Sequence, residues 1–124
     1  MKIFDAHCDV LLKLWENPDL DFRDDRVLHT NYTSMRQVGE KNIQCFAIYI
    51  PEYVHEQMRF QVALEMIDIF YTKVIVLPGV KMIASKSDFV TLQKGEIGAI
   101  LTLEGCDAIG SDPIKLKTLL RLGV

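Results

Sequence analysis

Apolar residues follow two kinds of pattern along this chain. Three stretches are nearly continuous: Ile3-Phe4 through Val10-Leu11-Leu12, Ile43 to Ile50, and Ile97 to Leu103. Short runs of this kind, without regular polar alternation, suit strands of a parallel sheet covered on both faces. They predict strands near 2–9, 43–50 and 97–103. Between the second and third, Phe60, Ala63, Leu64, Ile67, Phe70, Tyr71 and Val74 recur at i, i+3, i+4 and i+7. That period predicts a long amphipathic helix from His55 to about Val74.

Turn and cap residues divide the rest. Asn17-Pro18-Asp19 breaks the chain and opens a polar loop through Arg26. Thr33 or Ser34 caps a short helix to Val38, which Gly39 stops. Pro51 halts the second strand, and Pro78-Gly79 ends the long helix. Val80 to Ala84 reads as a short extended piece. Ser87-Asp88 reads as the N-cap region of a small helix that Gly95 closes. Asp112-Pro113, a cap followed by a first-turn proline, opens a last helix near 113–122. Strands alternating with helices argue for parallel βαβ units in one α/β domain.

Composition narrows the function classes. The 124 residues are 49% hydrophobic and 25% charged, an ordinary globular mixture. A net charge of −3 leaves no basic footprint for nucleic acid. Cysteines 8, 45 and 106 are odd in number and far apart, so a disulfide framework is not expected and a reducing compartment fits. Asp5 interrupts any signal-peptide core, and no apolar run reaches membrane-spanning length. A cytoplasmic location, away from membranes, is the expectation.

Four residues carry chemistry. On a strand, Asp5, His7 and Asp9 project to one face. Titratable groups on a buried strand are destabilising unless a partner such as a cation compensates their lost hydration. Glu104, followed by Gly105, ends the third predicted strand. In parallel α/β barrels functional residues gather at the C-terminal strand ends, and right-handed crossovers bring those ends to one side. An imidazole with two carboxylates suits Zn²⁺, and also Mn²⁺, Fe²⁺ or Co²⁺. A glutamate can bridge two ions about 3.5–4 Å apart, which makes amide hydrolysis the natural reaction.

The plainer readings are a hydrogen-bonded His7–Asp9 pair without metal, and Glu104 as an anion near the next helix dipole. Asp107 and Ser111 read as turn and capping residues. His29, in a loop, and His55, on a polar helix face, are not taken as ligands. Cys45 and Cys106 read as packed thiols, Met58 and Met66 as apolar packing. Trp15 is a candidate for the mouth of the site.

Asp5-Ala6-His7-Cys8-Asp9-Val10-Leu11 resembles the opening motif of the membrane (renal) dipeptidase family, the M19-type metallopeptidases. Thr30, Gly39, Gln44-Cys45-Phe46, Leu103-Glu104-Gly105 and Ile109 follow in matching order, so the resemblance spans essentially the whole chain. It implies the N-terminal part of a (β/α)8 TIM-type barrel and a zinc-dependent dipeptidase. His7 and Asp9 would ligate one zinc, and Glu104 would bridge to a second and serve catalysis. Asp5 would lie one layer deeper, orienting a ligand. A hydroxide shared by the two ions would cleave a dipeptide. Cys8 stands where relatives commonly carry asparagine, and is expected to face away from the metals.

A complete barrel needs about 250 residues, so three or four strands of eight are expected here. The second-metal histidines and the substrate-binding residues would lie downstream. The 124-residue chain alone is therefore expected to be inactive, and to pair with a copy of itself or a completing chain. Two alternatives stand beside this reading. One is another amidohydrolase-like metallohydrolase, for which His-x-His is the commoner opening, so Asp9 discriminates. The other is a non-catalytic truncated or split-barrel interaction module.

Overall fold

Four parallel strands form one sheet in the order β1-β2-β4-β3, in a computed structural model that describes residues 2–124. The strands are β1 (Lys2–Asp5), β2 (Lys41–Tyr49), β3 (Val80–Met82) and β4 (Ile97–Glu104). Helices α1 (Val10–Glu16), α2 (Tyr32–Val38), α3 (Arg59–Ile69), α4 (Lys86–Thr91) and α5 (Pro113–Arg121) alternate with them. All-parallel pairing with interleaved helices is the arrangement of a partial TIM-type barrel. Among the described residues, no helix is long and apolar enough to cross a membrane.

The two continuous apolar runs make the centre of the sheet. β2 and β4 pair along their length, from Asn42 opposite Ile97 to Tyr49 opposite Glu104. Every β2 residue from Asn42 to Ile48 is buried, as a strand covered on both faces should be. Phe46, Ile48, Ala99 and Leu101 join Leu11, Leu14, Ala63, Met66 and Phe70 in the main core. Phe22, Phe46 and Phe70 pack edge to face with ring centroids 5.6 Å apart. Such pairs add roughly 0.5–1.5 kcal/mol beyond the area they bury.

A smaller cluster of Ile43, Ile83 and Leu92 covers part of the opposite face. Gly98 makes that contact close, because a Cβ there would lie 2.4 Å from Ile83 Cδ1. The missing side chain lets Ile83 pack against β4 itself.

The first strand departs most from expectation. It ends at Asp5, not 9, and its residues are largely exposed. Val10-Leu11-Leu12 belongs to α1, which buries Val10, Leu11 and Leu14. Seven residues are too few for periodicity to separate a short helix from a buried strand. The predicted long helix is three pieces: a 3-10 turn at Glu56–Met58, α3, and a π-helical turn at Phe70–Val74. Its stripe survives, with Ala63, Ile67, Phe70 and Val74 all buried.

Caps shift by two or three residues. Asn31 caps α2, accepting from the Ser34 N–H, while the Asn31 N–H donates back to the Ser34 hydroxyl. Ser85 caps α4 in the same reciprocal way with Asp88. Asp112 caps α5 as expected, accepting from the Ile114 N–H at 2.8 Å.

Candidate metal centre

The chain leaving β1 stays beside β2 without forming regular strand. The Cys8 carbonyl accepts from the Ala47 N–H at 3.1 Å, and Asp5 Oδ1 accepts from the His7 N–H at 3.1 Å. Asp5 thus closes the turn that carries His7, acting on its backbone. Asp9 is the N-cap residue of α1, yet its side chain makes no capping bond. An aspartate cap is typically worth about 1 kcal/mol. Its Oδ1 instead lies 3.1 Å from His7 Nε2.

Glu104 arrives from the other side of β2, as the last residue of β4. Gly105 follows with a φ of +73°, a left-handed conformation that turns the chain out of the sheet at once. Glu104 Oε2 lies 3.6 Å from the same His7 Nε2. The ligand atoms of His7, Asp9 and Glu104 all fall within 4.8 Å of one another.

The route to this convergence differs from strand alternation. His7 and Asp9 come together through a turn and a helix start, because β1 has already ended. Nor are they buried: the side chains of His7, Asp9 and Glu104 are 49%, 51% and 49% exposed. The lost-hydration argument for a cation therefore falls away. Donor chemistry and spacing take its place. Two donors bonded to one cation at about 2.0–2.2 Å lie roughly 3–4 Å apart. The separations of 3.1 and 3.6 Å fit that requirement, and one imidazole with two carboxylates fits a borderline divalent metal.

The family model for membrane dipeptidase (peptidase family M19) matches residues 1–124. The chain belongs to this family. No curated protein matches its sequence. M19 membership makes the coarse activity metal-dependent peptide hydrolysis, and it accords with the parallel α/β sheet.

Other candidates fall outside the cluster of this M19 chain. Cys8 is buried, and burial pushes its thiol up to about 12, so it is neither a ready ligand nor a nucleophile. Cys45 is buried, but Cys106 is exposed, contrary to the expectation of a packed thiol. Met66 is fully buried whereas Met58 is half exposed. The Trp15 indole donates to Glu65 Oε2 at 2.8 Å and lines a groove between α1 and α3, away from the strand ends. His55 accepts from the Gln57 N–H, and Asp107 pairs with Arg59 at 3.5 Å.

Near the centre, Lys13 escaped sequence reasoning, and His29 is weighed there but not taken as a ligand. Lys13 and His29 border a cavity that His7 and Asp9 also line. Lys13 follows Asp9 by four residues, a same-face spacing on a helix. Reading residues 10–16 as helix would have found it. His29 lies in a loop whose path no periodicity predicts.

Proposed function

We propose that this M19 chain is a dipeptidase whose His7, Asp9 and Glu104 hold a divalent metal, zinc being the best match to the donor set. The observation that carries the reading is the meeting of three donors from two separate segments at one imidazole nitrogen. Asp5 fixes the His7 backbone, which sets the direction of the ring. Asp9 leaves its helix uncapped, which keeps its carboxylate free. Glu104 Oε2 faces His7, while Oε1 makes no hydrogen bond among the described residues and remains available to a second ion. On this reading the described residues supply one half of a two-ion centre. A cation held there polarises the scissile carbonyl and acidifies water.

The test is the release of free amino acids from a dipeptide by the chain within a completed barrel supplied with Zn²⁺, against the same assembly after chelation and with Glu104→Gln. Chelation should abolish release, and Zn²⁺, Co²⁺ or Mn²⁺ should restore it. Glu104→Gln should weaken metal binding by at least about tenfold while the fold persists. Unchanged metal stoichiometry and affinity in Glu104→Gln would contradict the bridging role.

A further inference from the structure

We propose that the groove between α1 and α3 is a docking site for a basic amphipathic helix of a partner protein, with Asp68 as the group that meets its cation. None of His7, Asp9 and Glu104 lines it, so the site is separate from the metal centre. The groove has a volume of about 610 Å³, with Leu14 and Trp15 on the α1 side, Leu64 and Ile69 on the α3 side, and Pro18 beside them. Helix α3 has 11 residues, which at 1.5 Å per residue makes roughly 16 Å of wall. That length receives two or three apolar anchors spaced i, i+4 and i+7, the way amphipathic helices enter grooves.

The walls are already tied in place. The Trp15 indole N–H donates to Glu65 Oε2 at 2.8 Å, and the Gln61 amide donates to Glu65 Oε1 at 3.2 Å. The first of these bonds joins α1 to α3, so docking requires little reordering. Trp15, Leu64 and Ile69 pack on the main core yet stay part-exposed, and tryptophan is among the residues that most often anchor an interface. Charge then selects the partner. Two carboxylates, Glu65 and Asp68, and one ammonium, Lys73, line the groove, leaving one net negative charge. The Lys73 ammonium is held by the Pro18 carbonyl at 2.6 Å and the Leu20 carbonyl at 3.5 Å, so it fastens the loop after α1. Both Glu65 oxygens accept bonds, whereas Asp68 is exposed and only its backbone carbonyl is used, accepting from the Thr72 hydroxyl. A partner lysine or arginine therefore meets, in Asp68, a carboxylate without a competing donor. The apolar anchors supply affinity and the ion pair supplies selectivity.

Trp15 is the chain's single tryptophan, so its emission reports occupancy directly. The probe is a capped helical peptide of about 14 residues, with leucine at i, i+4 and i+7 and lysine elsewhere, titrated into low-micromolar protein. Trp15 emission should shift to the blue and saturate. The affinity should exceed that of the same peptide with glutamate in place of lysine by at least about tenfold. Asp68→Lys should weaken the lysine peptide about fivefold and strengthen the glutamate peptide, with an unchanged circular dichroism spectrum. Equal binding of the two peptides, binding that leaves Trp15 emission unmoved, or an affinity indifferent to Asp68→Lys would overturn the site. So would a requirement for added Zn²⁺, which would put the peptide at the metal centre. A second copy is the competing occupant, because α5 exposes Ile114 and Leu120 beside Lys117 and Arg121. A blue shift that grows with protein concentration in the absence of peptide, and is lost in Lys117→Glu, would assign the groove to self-association and overturn the proposal.

Discussion

Asp9 begins a helix that it does not cap. Its carboxylate is turned toward His7, so α1 loses a bond that most aspartates in this position make. Local rules broken without local gain are commonest at functional sites. Asp9→Asn should therefore separate the two roles. Stability should stay within about 0.5 kcal/mol of wild type or rise toward 1 kcal/mol if the amide caps the helix, whereas zinc affinity should fall at least about tenfold. Thermal denaturation and calorimetric titration read the two quantities independently, and a large loss of stability with metal binding intact would reverse the assignment. The thiols give a second check at this scale. In the native chain at mild alkaline pH, an alkylating reagent should modify Cys106 alone, since Cys8 and Cys45 are buried. Fast native labelling of Cys8 would show that the turn between β1 and α1 is open.

Among the elements, those with strong patterns were legible and those governed by tertiary packing were not. The runs Ile43–Ile50 and Ile97–Leu103 became the two central strands because only a doubly covered strand tolerates so many consecutive apolar residues. The first run misled, since Val10, Leu11 and Leu14 face the core from a helix as readily as from a strand. His7, Asp9 and Glu104 meet, as their order in the sequence suggested, but through a turn and a helix start and not through strand alternation. The caps missed by two or three residues because both ends of each reciprocal box are Ser, Asn or Asp. Two substitutions probe this level. Gly98→Ala should cost about 1–3 kcal/mol by pushing Ile83 off β4, and a smaller residue at 83 should recover part of it. Urea denaturation measures both, and an unchanged midpoint for Gly98→Ala would refute the close packing. The Ser85 hydroxyl, with the Ala84 and Ser85 N–H groups, holds the Asp88 carboxyl below its usual range. A depressed carboxylate favours the fold above its unfolded value and loses that contribution as pH falls through the folded one. Asp88→Asn should flatten acid unfolding below about pH 4; a profile identical to wild type would remove the capping box from the account.

For the molecule as a whole, the parallel sheet brings the C-terminal ends of β1 and β4 to one side, with β2 between them. That side carries His7, Asp9 and Glu104, as functional residues do on parallel α/β folds. The same sheet presents open edges. Among the described residues β1 has a neighbour on one side only, Phe4 is 61% exposed, and β3 covers β4 only from Ile97 to Ala99. Exposed edges with apolar side chains favour association. The 124-residue chain should therefore form dimers or larger species at high micromolar concentration by light scattering; a monodisperse monomer there would contradict this. The central claim concerns the metal, and the absorption spectrum of the Co²⁺-loaded chain reads it most directly. The account predicts a nitrogen- and oxygen-ligated spectrum, without a thiolate charge-transfer band, that is lost or strongly altered in His7→Ala and in Glu104→Gln. A spectrum indifferent to both substitutions, or one carrying a thiolate band, would contradict it.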